Sequence, residues 1–358
     1  MVYLYDRLAP SRSSSGSITF AEFSCGFLEL WQRKHERANH RKQQMSLVGT
    51  VRSRLTSAAR ALVEAMAARR GTRWLLNIGY NRLSSESKAY FLLHFSTLFQ
   101  SSDARLTNGE WVVRFLGRKI RMPLRDSHAR LDWVNAITIV GHDPEIKLTY
   151  EFLLSQPHSP DLFIDVGANF GTHSLLFASQ GVPVAAFEPN SECLGYCRTV
   201  CELNGFDVRW ESVAVGDRDG EIELVYPEGA TWLGSTERTL QEKLRGKFTV
   251  SIRHVPLRRL DDYIDTLVGK RVVIKIDVEG SEADVLRGAA ALMTRLSPAL
   301  IFENFNRDLR PYLWSSIAGR SYAIYALPYM RRAEDSALSE AQFLSSRHIN
   351  FLALPSVW

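Results

Sequence analysis

Apolar positions along the chain follow two kinds of pattern, and their order predicts an α/β architecture. Short apolar runs recur at Leu162–Val166 (LFIDV), at residues 182–189 (VPVAAFEP) and at Val272–Ile276 (VVIKI). Runs of this length with little alternation suit parallel strands covered on both faces. Between the second and third runs, Cys193, Cys197 and Cys201 recur every four residues. They therefore share one face of a helix that starts at Asn190 or Ser191 and stops at Asn204-Gly205. Upstream, residues 110–122 (EWVVRFLGRKIRM) form two alternating runs joined at Leu116-Gly117, which predicts a β-hairpin. Residues 46–70 place Leu47, Val51, Leu55, Leu62, Val63 and Met66 near one helical face, with Arg52, Arg54, Arg60, Arg69 and Arg70 elsewhere. Residues 224–247, with Tyr226, Trp232, Ser235 and Thr236, read as a loop or extended hairpin over the crevice, a place for a lid and for acceptor contacts. The expected division is a flexible basic segment over 1–42, a helical extension over 43–109, a hairpin or cap element over 110–158 and an α/β domain over 159–358, with 224–247 inserted in it.

Chemistry concentrates at the ends of the predicted strands. Asp165, Gly167, Asn169 and Gly171 give the pattern DxGxNxG, a strand running into a glycine-rich turn that opens a helix. It departs from the dinucleotide fingerprint GxGxxG. The glycines are expected to let the backbone approach a nucleoside. A carboxylate over the turn would repel a pyrophosphate and attract an ammonium group, which suits the amino-acid end of S-adenosylmethionine (SAM). Glu188 ends the second run at about the 20-residue distance at which an acid binds ribose hydroxyls. The third run carries Asp277 at its end, then Glu279, Gly280, Ser281 and Glu282, with Ser281 and Asp284 reading as a helix start. These acids face the crevice where open α/β sheets bind ligands. Glu282 reads equally as a residue favouring the positive end of the helix.

The blocks IDVGANFG, FEP, LDDYI, IKIDVEGSEADVLRGA and PALIFEN, with HINFLALP near the end, resemble the FkbM-type methyltransferases in order and spacing over roughly residues 130–354. The resemblance implies a Rossmann-like, seven-stranded class I SAM-dependent methyltransferase sheet that transfers methyl to a hydroxyl. Its acceptors would be sugars of polysaccharides and lipo-oligosaccharides, or macrolide polyketides. The expected cofactor residues are Asp165, Gly167, Ala168, Asn169, Gly171, Glu188, Pro189, Val213, Ala214 and Asp277. A hydroxyl must lose its proton as the bond forms, so the site needs a base. The candidates are Asp277 and Glu279 first, then Glu303 and His173. An Asp277/Glu279 pair could hold Mg²⁺, but no further ligand is identifiable, so no metal is expected.

With 358 residues, 45% hydrophobic and 23% charged, the chain has the composition of a globular enzyme. No run of eighteen apolar residues exists, and the start lacks the pattern of a secretory signal, so a cytoplasmic protein is expected. The net charge of +5 is uneven. Residues 1–160 hold 23 Lys and Arg against 13 Asp and Glu, while the remainder hold 21 against 26. The basic helix over 46–70 could rest on an anionic inner-membrane surface, but packing on the protein body is favoured. No nucleic-acid motif accompanies the charge, so a small-molecule or glycan partner bearing a hydroxyl is expected. Two competing functions are a non-catalytic SAM-binding assembly subunit and a nicotinamide oxidoreductase, the latter disfavoured by Asp165 and by the missing GxGxxG.

Overall fold

The computed structural model describes residues 47–99, 106–228 and 234–358, with side chains from residue 57 onward. The flexible-segment reading of residues 1–42 and the placing of Trp232 lie outside these residues. Leu55–Trp358 form one compact unit; of Met1–Arg54, only the helix backbone from Leu47 is described.

Helices α1 (Leu47–Ala68), α2 (Arg70–Asn81) and α3 (Ser85–Phe95) precede strands β1 (Gly109–Phe115) and β2 (Arg118–Leu124). Phe115 pairs with Arg118, so the hairpin turns on two residues, Leu116 and Gly117. Both have positive φ, 46° and 79°, the backbone that matches the twist of a two-residue hairpin. Next come α4 (Ala129–Gly141) and α5 (Pro144–Leu154). Trp111 of β1 and Trp133 of α4 are fully buried with rings 5.2 Å apart, and Tyr80 of α2 lies 5.3 Å from Trp111. Three elements far apart in sequence thus share one aromatic core.

The remaining elements, in chain order, are β3 (Leu162–Val166), α6 (Ser174–Ser179), β4 (Val184–Phe187), α7 (Ser191–Asn204), β5 (Val208–Glu211), β6 (Ala214–Val215), β7 (Gly220–Pro227), α8 (Arg238–Lys247) and β8 (Val250–Arg258). They are followed by β9 (Val272–Ile276), α9 (Glu282–Arg287), α10 (Ala290–Leu296), β10 (Ala299–Glu303), α11 (Arg310–Ala318), β11 (Tyr322–Ala326), α12 (Glu340–Ser345) and β12 (Asn350–Pro355). Seven strands make one sheet in the order β11-β12-β10-β9-β3-β4-β5. β12 runs antiparallel to both of its neighbours, and the central pairs are parallel.

Alternation along the strands sorts the sheet into two cores. Phe163, Val273, Ile301 and Leu352 face a core that continues into the hairpin and the N-terminal helices. Ile164, Ile274, Leu300 and Phe302 face a second core containing α9 to α12 residues such as Leu286, Leu313 and Phe343. Helix α7 buries Cys193, Cys197 and Cys201 and ends at Gly205 with φ 68°.

Residues 224–247 are not a loop but part of an extended hairpin that carries a helix in its connection. β7 begins earlier, at Gly220, and pairs antiparallel with β8, while α8 stands between them. With β6, these strands make a separate three-stranded sheet. Glu237 caps α8 by accepting from the N–H groups of Thr239 and Leu240. Only Leu240 and Leu244 mark an apolar face on an otherwise polar helix, which is why the pattern read as loop.

Candidate active site

The turn after β3 is built from left-handed residues: Gly167 at φ 83°, Asn169 at 50° and Gly171 at 69°. A Cβ on Gly167 would lie 1.8 Å from the Asp277 carbonyl oxygen, and one on Gly171 would lie 2.7 Å from the Trp210 ring. Each glycine clears space for protein, and Gly167 lets the ends of β3 and β9 meet. The N–H groups of Gly167 and Ala168 donate to the Phe187 carbonyl at 2.9 and 3.0 Å. Glu188 accepts from the N–H of Asn169 at 2.8 Å and from that of Asn190 at 2.7 Å, so one carboxylate joins the turn to the start of α7. Burial pushes the Glu188 carboxyl up to about 7, although both N–H donors oppose the shift. Pro189 follows it, half-buried. Val213 packs against the second core beyond β5. Ala214 pairs with Leu257 in the small sheet rather than with the turn.

Parallel register then gathers the charges. Asp165 of β3 pairs with Lys275 of β9, and Ile276 pairs with Phe302 of β10, so Asp277 and Glu303 end adjacent strands. Each of Asp165, Lys275 and Glu303 lies two residues beyond an apolar residue of the first core, so the same sheet face turns from apolar to charged at its tip. Lys275, 2% exposed, donates to Asp277 Oδ2 at 2.8 Å. Burial alone would lower the Lys275 pKa, but Asp277 and Asp165 override it and hold the ammonium charged. For Asp277, burial acts upward, yet Lys275 and a hydrogen bond with Glu303 hold the carboxyl below its ordinary value. Burial and the Asp277 charge push Glu303 well up, so Glu303 carries the proton of that shared bond. Burial, then Asp277 and Glu282, push Glu279 up to about 8. Asp277 is thus held ionised between buried Lys275 and protonated Glu303.

Glu279 sits in the turn with φ 51°, and Ser235 Oγ donates to its carbonyl at 3.3 Å. Ser281 precedes α9 but makes no side-chain cap; its Oγ meets Thr236 Oγ1 at 3.3 Å. The segment leading into α8 therefore holds the Glu279–Ser281 turn. Glu282 Oε1 accepts from the Gly280 N–H at 3.0 Å.

His173 occupies the position before α6 without capping it. Its Nδ1 instead meets the Tyr150 hydroxyl at 3.0 Å. Burial, with Lys147 and Lys275, pushes its pKa well down, so the ring is neutral. Asp165 Oδ2 accepts from Ser174 N at 3.0 Å and from Ser174 Oγ at 2.6 Å, while Oδ1 is buried without a partner.

Sequence reasoning missed the contribution of α5. Tyr150 packs edge-on against Phe163 and Phe177, and Asn350 Nδ2 donates to Glu145 Oε1 at 2.9 Å. The helix therefore spans the strand tips from β12 to β3. Asp143, at its start in left-handed backbone, pairs with His142 at 2.8 Å. The available signal was GHDPEIKLTY, six ionisable or hydroxyl-bearing residues directly before the first strand of the domain.

A seven-stranded sheet in this order with one antiparallel strand, a glycine turn after its central strand and an acid after the next are features of the class I SAM-dependent methyltransferase fold. Residues 165–321 match the family described as Methyltransferase FkbM domain; this part of the chain is an FkbM-type, SAM-dependent methyltransferase domain. No curated protein matches the chain. Among solved structures, the methyltransferase FkbM from Methylobacillus flagellatus KT is 17% identical, with 63% of this chain and 54% of that chain covered and a TM-score of 0.35. The chain thus spans about half of that protein's length. The ribosomal protein L11 methylase from Lactobacillus delbrueckii subsp. bulgaricus is 14% identical, with 60% and 79% covered and a TM-score of 0.32. The T. Thermophilus 16S rRNA N2 G1207 methyltransferase, in complex with AdoMet and guanosine, is 14% identical, with 70% and 51% covered and a TM-score of 0.35. The residues present fit SAM: Glu188 stands at the tip of β4, and the free Asp165 oxygen suits an ammonium group.

Proposed function

We propose that the protein transfers methyl from SAM to a hydroxyl of a glycan, a glycolipid or a related natural product. The observation that carries this reading is the Asp277 carboxylate held ionised by buried Lys275, beside protonated Glu303, at the tip of the strand adjoining the cofactor turn. A hydroxyl is a poor nucleophile until its proton leaves, and a fixed carboxylate can receive that proton as the bond forms. The cofactor, when bound, supplies a methyl group already activated on a sulfonium.

In this reading, Asp277 takes the acceptor proton and Glu303 supports it through the shared hydrogen bond. Glu279 positions the acceptor, while Glu188 and Asp165 hold the cofactor. His173 orients Tyr150 rather than acting as base, because its ring is buried and its Nδ1 is engaged. A non-catalytic SAM-binding role leaves this set of half-buried carboxyls with shifted pKa values without a purpose. The test is incubation of the full chain with methyl-labelled SAM and hydroxyl-rich glycan and lipid fractions, followed by alkali. Label that survives alkali as an ether supports the proposal. Label released as methanol, or found on nitrogen, contradicts it.

A further inference from the structure

Two buried ionisable side chains each leave one polar atom without a hydrogen-bond partner beside the cofactor turn. Lys147 is 2% exposed, and its Nζ makes no hydrogen bond. Asp165 is fully buried, and its Oδ1 makes none. The two are near enough to act on each other electrostatically, yet no ion pair joins them among the described residues. Desolvated charges without hydrogen-bond partners are costly, and a ligand that supplies both complements removes that cost.

Their placement is fixed by the fold. Tyr150 follows Lys147 by three residues on α5, so the two share a helix face. Tyr150 bonds His173, and the next residue, Ser174, bonds the other oxygen of Asp165. At its opposite end, α5 is held to β12 through Glu145 and Asn350. Lys147 therefore lies near the tips of the central strands, where Asp143 first, then Lys275, Glu145 and Asp165, act on its charge.

The amino-acid end of SAM is a zwitterion with one ammonium and one carboxylate on a single carbon. We infer that Lys147 pairs with that carboxylate while Asp165 Oδ1 takes the ammonium, which makes α5 part of the cofactor site. The inference rests on SAM being the cofactor and extends it to a helix outside the matched residues 165–321. It also explains why the lysine and the aspartate remain apart: the ligand stands between them.

Calorimetric titration of the full chain with S-adenosylhomocysteine (SAH), decarboxylated SAH and 5′-methylthioadenosine tests this. The wild type should bind SAH roughly 10- to 100-fold more tightly than decarboxylated SAH, the range of a charge-assisted hydrogen bond. Lys147→Met should lose that preference and bind methylthioadenosine as the wild type does. Lys147→Arg, which keeps the charge and serves if the Met variant does not fold, should retain much of the preference. Equal wild-type affinity for SAH and its decarboxylated form overturns the inference. So does a Lys147→Met variant that weakens SAH and methylthioadenosine alike, because the lysine would then be structural. If the wild type binds none of the three, the cofactor assignment fails rather than the role of Lys147.

Discussion

At the scale of single residues, Asp277 and Glu188 show how one functional group, the carboxyl, is tuned to different states. Lys275 holds Asp277 ionised, whereas burial keeps Glu188, Glu282 and Glu279 protonated up to about pH 7, 7 and 8. A carboxyl raised in the folded state binds its proton more tightly there than in the unfolded chain, whose Glu titrates near 4.3. Its stabilisation is therefore full below about pH 4 and is lost as pH rises through 7 to 8. Thermal melts of Glu279→Gln against the parent should show the variant gaining stability at pH 8 to 9 and the difference shrinking towards pH 5. Glu188→Ala should weaken SAH sharply; as its carboxylate also joins two backbone N–H groups, a fall in Tm of several degrees should accompany it. Gly167→Ala would force a Cβ into the Asp277 carbonyl at positive φ, for a loss on the order of 3 kcal/mol by denaturant titration. The sequence marked the need for glycine there but not its cause, because the obstructing atom belongs to a strand more than a hundred residues away.

At the scale of elements, the β7–α8–β8 insertion touches the Glu279–Ser281 turn through Ser235, Thr236 and Glu237. Glu237→Ala removes the cap of α8 and should cost about 1 kcal/mol. If the turn positions the acceptor, Ser235→Ala combined with Thr236→Val should raise KM for the acceptor several-fold while SAH affinity holds, as steady-state kinetics and calorimetry would show. Strands β3, β4 and β9 were legible because buried parallel strands write continuous apolar runs. Helix α8 was not, since two leucines on a charged surface give no periodic signal. The grouping of Asp277, Glu279 and Glu303 at neighbouring strand tips was legible from the acids that end the apolar runs. The contribution of α5 was hidden because Lys147 and Tyr150 acquire meaning only when the helix is laid across strand tips, a tertiary arrangement that local pattern does not encode.

At the scale of the whole molecule, the N-terminal helices, the hairpin and one sheet face share a continuous core from Ala67 to Leu354. Val63 and Ala67 of α1 pack into it, and no helix among the described residues is long and apolar enough to cross a membrane. We propose that Val63 and Ala67 hold this part of α1 on the body rather than on a lipid surface, so sedimentation at low salt should be the same with neutral and with anionic vesicles.

The account as a whole places cofactor binding and proton removal on different residues of adjoining strand tips, so one substitution should separate them. The most direct measurement is SAH affinity and methyl transfer on the same preparation of Asp277→Asn. The account predicts SAH binding close to that of the parent and turnover reduced by roughly 10² or more. Full turnover in Asp277→Asn, or loss of SAH binding together with turnover, would contradict it.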